Sequence, residues 1–381
     1  MFLKTPPMGF NTCNTFGPNV SDQLIRELAD AMVDRGFKDA GYEYLVIDDW
    51  WSEKQRDPVT HKLVASKEKF PDGLKPVADY VHSKGLKFGL YSSTGLRTCG
   101  DYPASFDHEF LDAETFAEWG VDYLKYDWCQ KPQMLDPTLL YRRMGLALAS
   151  CGRDIVFSIC NWGEADVEKW ARLVGGSLYR STGDFSDSWE ITKMIIFLQI
   201  DKLCYSAPGC YNDLDMLTVG MFGNGYFGKE TTCTADEYFT QFAIWCMFNS
   251  PLMLGCDVRT VSDEMRDLLC NKELIAINQD PEVRGPYAVG GSEYQLDAGK
   301  RVFVRHLSGN EVAVCFANFS DSDSNNCFYP FDAGLSFASG YAFDLRDVMT
   351  GEKLPLINDF IELPIKAHCC RVFRGKLVKV N

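Results

Sequence analysis

The chain has 381 residues and 43.0 kDa, more than one ordinary domain of ~150 residues and enough for one barrel-sized unit with a smaller one attached. Apolar residues make up 46% and charged residues 24%, which excludes disordered and fibrous classes. A net charge of −15 and a pI near 4.8 repel phosphate backbones and anionic bilayers, so neither a nucleic-acid nor a membrane partner is expected.

No stretch reaches the ~18 apolar residues of a spanning helix, and Met1 to Met8 holds Lys4 and two prolines where a leader needs an apolar core. A cytoplasmic location is the expectation. The 15 cysteines include no C-x-x-C pair, and Cys151, Cys204, Cys246, Cys315 and Cys369 lie in apolar runs, as buried free thiols do. His61, His82, His108, His306 and His368 are scattered, with none at metal-ligand spacing, so no metal site is expected.

Taken in chain order, Met8 to Cys13 reads as a first strand. From Ser21, an N-cap, Leu24, Ile25, Leu28 and Met32 recur at helical spacing until Gly36. Tyr44 to Ile47 is a short apolar run of β-formers that stops at Asp48-Asp49, a buried strand ending in acid. The cycle repeats: Leu74 to Val81 as helix with Gly85 as stop, then Leu86 to Tyr91 as strand. It repeats again with Phe110 to Trp119 as helix, Gly120 as stop, and Val121 to Tyr126 as the strand before Asp127. Leu139 to Ala149 and Ile155 to Cys160 form the next pair. Ser177 to Thr182, Leu203 to Ser206 and Leu252 to Gly255 bring the strands to eight.

Continuously apolar strands alternating with helices indicate a parallel sheet covered on both faces, and eight units favour a (β/α)8 TIM barrel over an open doubly wound sheet. After Asp280-Pro281 the texture changes. Arg301 to Val304, Val312 to Phe316 and Ala342-Phe343 are short β-branched or aromatic runs separated by turn formers at Ser308-Gly309-Asn310 and Ser320 to Asn326. The expected organisation is therefore a catalytic barrel over 1–284 and a C-terminal antiparallel β-sandwich over 285–381.

Polar residues at strand C-termini face the active site of such a barrel. Asp48, Asp49, Asp127 and Asp184 all hold that position. Each alone is equally an acid capping the following helix; four together converge on one mouth. Carboxylates without histidine or a phosphate cradle fit glycosidic bond cleavage, with one as nucleophile or base and another as acid; Mg2+-assisted chemistry is the rival. Trp50, Trp51, Trp128, Trp162 and Trp189 lie near strand ends, where aromatic faces suit a sugar ring, although ordinary core packing accounts equally for about half of them. Gly223 to Gly228 matches G-x-G-x-x-G, but no helix follows at once: the next N-cap is Thr234, with Glu237 in capping-box position, so the run reads as a barrel loop rather than a dinucleotide site.

Five ordered motifs then carry a resemblance: Pro7-Met8-Gly9-Phe10-Asn11-Thr12-Cys13-Asn14, Ile47 to Trp51, Asp122 to Asp127, Asn212 to Leu217 and Ala276 to Pro281. Together they resemble the family 27 glycoside hydrolases, best known as α-galactosidases, over most of residues 5–283. The resemblance implies a retaining exo-hydrolase without cofactor, acting on a terminal α-galactoside or oligosaccharide; melibiose, raffinose and galactosyl side chains all qualify. It implies Asp127 as nucleophile and Asp184 as acid/base. The substrate-binding residues it implies are Phe10, Asp48, Asp49, Lys125, Cys160, Trp162, Arg180 and Asp213. Asp48 and Asp49 would hold the O4 and O6 side, Lys125 the O3 and O4 side, and Arg180 the O2 side. Cys99 and Cys129 match a pair that is bridged in many relatives, although a reducing cytoplasm would leave them as thiols.

Two expectations of charge follow. Lys125, two residues before Asp127 on one strand, should help keep that carboxyl ionised. Asp184 must be protonated at rest, which calls for a raised pKa. Phe10 and Cys13 stand where the family usually has tryptophan, Cys210-Tyr211 where it typically has histidine-tryptophan, and Leu214 where it has proline. Asn161 and Asp49 favour galactose over N-acetylgalactosamine and β-L-arabinopyranose respectively. The alternatives are an α-N-acetylgalactosaminidase, a β-L-arabinopyranosidase and, from a different class, a non-catalytic sugar-binding homologue; association into a homo-oligomer stays open.

Overall fold

The computed structural model describes residues 3–228, 231–289 and 299–380. Ser21 opens the first long helix, Asp22–Asp34, by accepting from Leu24 N at 3.2 Å, an N-cap worth about 1 kcal/mol. Its Leu24, Ile25, Leu28 and Met32 are buried, as the spacing requires. Helices Lys75–Ser83, Glu109–Trp119 and Pro137–Ser150 follow, the last with its own side-chain cap at Asp136, and Gly120 ends the second of these at φ 84°, a conformation in which a Cβ would be strained. Thr234 and Glu237 close a full capping box on helix Ala235–Met247.

Between the helices run eight short strands: β1 Met8–Asn11, β2 Tyr44–Val46, β3 Lys87–Ser93, β4 Tyr123–Asp127, β5 Val156–Cys160, β6 Leu178–Arg180, β7 Tyr211–Asp213 and β8 Leu252–Leu254. All pair in parallel, β1 to β7 in chain order, and β8 returns to pair with β1. Just beyond β7, Leu217 N donates to Met253 O at 2.7 Å and Leu217 O accepts from Gly255 N at 2.8 Å, carrying the curl of the sheet round towards its first edge. The arrangement is that expected of a TIM barrel.

The seventh strand is a correction. Of Leu203 to Ser206, apolar enough to read as strand, the first three residues end a 3-10 helix, Ile200–Tyr205, and Ser206 caps it, while the strand lies at the more polar Tyr211–Asp213. Each strand turns alternate residues to opposite faces. Phe10, Leu45, Leu90, Leu124, Ile159, Tyr179 and Leu254 join the core shared with the helices. Tyr44, Val46, Tyr123, Val156, Leu178, Tyr211 and Met253 form a separate apolar cluster inside the sheet.

Seven further strands are antiparallel: β9 Tyr287–Val289, β10 Lys300–His306, β11 Glu311–Asn318, β12 Ser324–Phe328, β13 Tyr341–Asp347, β14 Ile361–Ile365 and β15 Cys370–Lys379. Five form one sheet in the order β13-β15-β11-β10-β9, and β12 pairs with β14. The expected turn at Ser320 to Asn326 is shorter than it reads, because β12 starts at Ser324. Val304, Val314, Phe316, Phe328, Leu363 and Phe373 share a core across the two sheets.

This second unit is bonded to the first. Arg305, fully buried, donates from Nη1 to Cys246 O at 3.0 Å, and Asp280 accepts from Ser308 N and Oγ at 2.9 and 2.6 Å. Trp189, a candidate for the mouth, instead stacks on His368 at 4.7 Å and on Phe319 at 6.1 Å in this junction. Among the described residues no helix is long and apolar enough to cross a membrane.

Candidate active site

At the C-terminal ends of the strands the inward-facing side chains become charged. Asp48, beyond β2, accepts from Asn11 Nδ2 and from Lys125 Nζ, each at 2.8 Å. Lys125 and Asp127 sit two residues apart on β4 and share its inner face. Burial favours a neutral amine at Lys125, but its neighbours, Asp48 foremost, outweigh it and hold the ammonium well above its ordinary range. Asp127 accepts from Tyr91 Oη at 2.8 Å and from Trp128 N at 2.8 Å. Burial nevertheless pushes its carboxyl up to about 6, against the pull of Lys125 and these donors.

The loop after β6 supplies Asp184. Arg180 Nη2 donates to its Oδ1 at 3.0 Å, while Arg180 Nη1 lies 3.1 Å from Asp215 Oδ1. The guanidinium is itself buried, whereas the Asp184 side chain keeps 78% of its surface open at the lip. Crowding by the walls favours the neutral acid, but Arg180 and Lys125 outweigh it and hold Asp184 below the usual carboxylate range. The ionisation order is therefore the reverse of the expected one: in the free protein the buried Asp127 is the weaker acid. Asp213 behaves like Asp127, pushed up to about 6 by burial and by neighbouring Asp215.

Of the remaining expected residues, Cys160 faces inward with its Sγ 3.7 Å from Arg180 Nη1. Asp49 is closed into its own loop: Thr98 Oγ1, Gly100 N and Trp50 N all donate to it, at 2.7 to 2.8 Å, and burial raises its pKa. Trp162 is half-buried beyond the end of β5, with Lys131 Nζ 5.8 Å from its ring. Phe10 is a correction. It points the other way, fully buried against the helices and 6.3 Å from the Phe16 ring, because only Gly9 and Asn11 of β1 face inward. Trp51 and Trp128 are core residues as well.

Asn11, Tyr91 and Asp215 lie outside the expected set, yet they hold its charges in place. The signal for them is parity and register: Asp215 is two residues past Asp213, Tyr91 on β3 pairs in register with Lys125 on β4, and Asn11 falls on the inward side of β1 with Gly9. Asn11, Tyr123, Lys125, Ser158, Arg180, Asp213, Asp215, Met216 and Met253 line the cavity beneath the carboxylates.

Cys99 and Cys129, the one pair the resemblance offers as a bridge, are joined as a disulfide, Cα to Cα 5.2 Å, rather than left as the thiols of a reducing compartment. Cys99 Sγ lies 3.8 Å from Asp127 Oδ2. These two sulfurs and Asp127 are the one grouping of three potential metal ligands among the described residues, but sulfurs bonded to each other offer no thiolate. The other cysteines are free and mostly buried or half-buried; Cys204 is exposed, on the 3-10 helix that its apolar run forms.

Paired carboxylates with a buried cation and a guanidinium, set at the C-terminal end of a parallel barrel-type sheet, define a glycoside hydrolase. The family model described as "Alpha galactosidase A", Melibiase_2, matches residues 10–280, and the chain belongs to that family. It is 40% identical over 371 residues to an alpha-galactosidase of Cyamopsis tetragonoloba, covering 97% of this chain and 86% of that relative. To an alpha-galactosidase of Coffea arabica it is 41% identical over 370 residues, covering 97% and 93%. The structure of alpha-galactosidase I from Mortierella vinacea superposes with a TM-score of 0.89 at 32% identity, over 100% of this chain and 99% of that one.

Proposed function

We propose that the chain is a retaining exo-α-galactosidase in which Asp127 is the nucleophile and Asp184 the acid/base. The observation that carries this reading is the pairing of a buried carboxyl, flanked by Lys125 and the Tyr91 hydroxyl, with an open carboxyl at the lip. In the first step Asp127 attacks the anomeric carbon while Asp184 gives its proton to the departing oxygen. In the second, Asp184 takes a proton from water, which attacks the same carbon and releases α-galactose.

Arg180 links binding to protonation. The guanidinium holds Asp184 ionised in the free protein; a sugar hydroxyl that takes over Arg180 Nη2 removes that partner, while the filled pocket removes water. Both changes raise the pKa of Asp184 towards that of a general acid. The same reading makes residues 1–284 the barrel and 285–381 an antiparallel sandwich.

Release of p-nitrophenol from its α-galactoside tests the activity. Azide tests the roles: Asp127→Ala should be inactive alone and give the β-azide, since the anion enters by the vacated face, whereas Asp184→Ala should stall as the glycosyl-enzyme and give the α-azide. The same anomer from both variants would overturn the assignment. No turnover of the α-galactoside, the N-acetyl analogue or the β-L-arabinopyranoside would instead favour a sugar-binding homologue.

A further inference from the structure

The glycine-rich run Gly223 to Gly228, which the chemistry above leaves unused, is hung between the two halves of the site. At one end Gly223 N donates to Asp187 Oδ2 at 2.9 Å, and Asp187, three residues past Asp184, is itself held by Tyr238 Oη at 2.7 Å. At the other end Tyr226 N and Phe227 N donate to Asn14 O at 2.8 and 3.2 Å, just beyond β1. Gly17, at φ 50°, lies under the Tyr226 ring so closely that a Cβ there would run into it. The loop is thus fixed by its backbone and by the seat of the Tyr226 ring on Gly17.

The loop's rings stay open. Tyr226 is 40% exposed and Phe227 41% exposed. Phe227 packs against Trp50 with centroids 6.2 Å apart and planes tilted 31°, and against Tyr226 edge-on at 4.9 Å. Trp50 in turn follows Asp48 and Asp49 directly, and its N–H is held by Asp49 Oδ1 at 2.7 Å. Three adjoining aromatic side chains, partly open, thus form one apolar patch on the loops that carry the acid and the paired aspartates. Folding gains little from leaving such rings in water, whereas a pyranose presents an apolar C–H face that would cover them.

We propose that Trp50, Tyr226 and Phe227 bind the leaving group, stacking on the apolar face of the pyranose that is split from galactose. The proposal rests on the galactosidase reading above, which places the departing oxygen beside Asp184 and hence beside this loop. The patch commits the enzyme to oligosaccharides whose second unit is a ring, and it makes the contact through face geometry rather than through charge.

The test compares melibiose, whose leaving group is a pyranose, with α-galactosyl fluoride, whose leaving group cannot stack. For each variant the ratio of kcat/KM on melibiose to that on the fluoride is taken at one pH, so that loss of folded protein cancels. Phe227→Ala should lower this ratio about tenfold, the scale of one good aromatic contact, and Phe227→Trp should keep or raise it. A ratio within about twofold of wild type in Phe227→Ala, at measurable fluoride turnover, would overturn the proposal; so would an equal fall on both substrates. Wild-type protein that hydrolyses neither compound would overturn the galactosidase reading instead.

Discussion

The inside of the barrel-type sheet has two ends built from the same strands, and a step of two residues separates them. Val46 leads to Asp48, Tyr123 to Lys125, Leu178 to Arg180 and Tyr211 to Asp213. Backbone, pairing and burial barely change over that step, but the chemistry inverts. At the closed end each buried aliphatic or aromatic side chain stabilises the fold by about 1.5–3 kcal/mol. At the mouth, burial works against folding. The Asp127 and Asp213 carboxyls are each pushed up to about 6, above the ~3.9 of an unfolded chain, so what they contribute to stability is present in full only below pH ~4 and is lost as pH rises through about 6. One end of a strand therefore serves stability at no chemical gain, and the other spends stability on poised charge.

The sharpest way to break this contrast is Asp127→Asn, which removes one of the two oxygens and the charge while keeping an acceptor for Trp128 N. Turnover of p-nitrophenyl α-galactoside should fall by about 10^4-fold or more. Retained activity above about 1% would show that the charged end is not where the reaction happens. At the other end Leu178→Ala should cost about 3 kcal/mol of unfolding free energy, read as a lower urea midpoint, with kcat of the folded fraction within about threefold of wild type. A large kcat loss without destabilisation there would erase the division between the two ends. The third test returns to Asp127→Asn: it should stabilise the protein by about 2 kcal/mol at pH 7, and this gain should vanish by pH ~4, where the native carboxyl is already neutral.

Much of this contrast was legible in the sequence, and the reason is period. Helix caps at Ser21, Gly120 and Thr234 and the apolar strands ending in Asp48 and Asp127 are local signals, satisfied by local backbone chemistry. The seventh strand was not legible, because a three-residue strand carrying Asp213 on its inner face is too short and too polar to stand out beside the apolar Leu203 to Ser206. Phe10 was misplaced by likeness of position, although counting from Asn11, which faces Asp48, would have turned it towards the helices. The pairing of Arg180 with both Asp184 and Asp215 could not be read at all, since it depends on how the loop after β6 folds back over its own strand and on where the chain beyond β7 comes to lie.

That pairing leads to the smallest effect, about tenfold per pH unit or 1.4 kcal/mol, and to the finest division of labour. In the proposed mechanism, attack by Asp127 needs its carboxyl ionised, and cleavage of a sugar leaving group also needs Asp184 protonated. In the free protein the affinities run the other way, with Asp127 at about 6 and Asp184 below the usual carboxylate range, so the reactive form carries its one proton on the stronger acid. The singly protonated pair, reactive form included, declines as pH rises above about 6. With melibiose kcat/KM should therefore fall about tenfold per unit above pH ~6. With α-galactosyl fluoride, which leaves without a proton, only the ionised Asp127 matters, and kcat/KM should rise up to pH ~6 and then stay level. The two profiles should part above that pH. If they fall in parallel, a single proton governs both substrates, and the separate roles given to the buried and the open carboxyl are wrong even if every contact at the mouth is right.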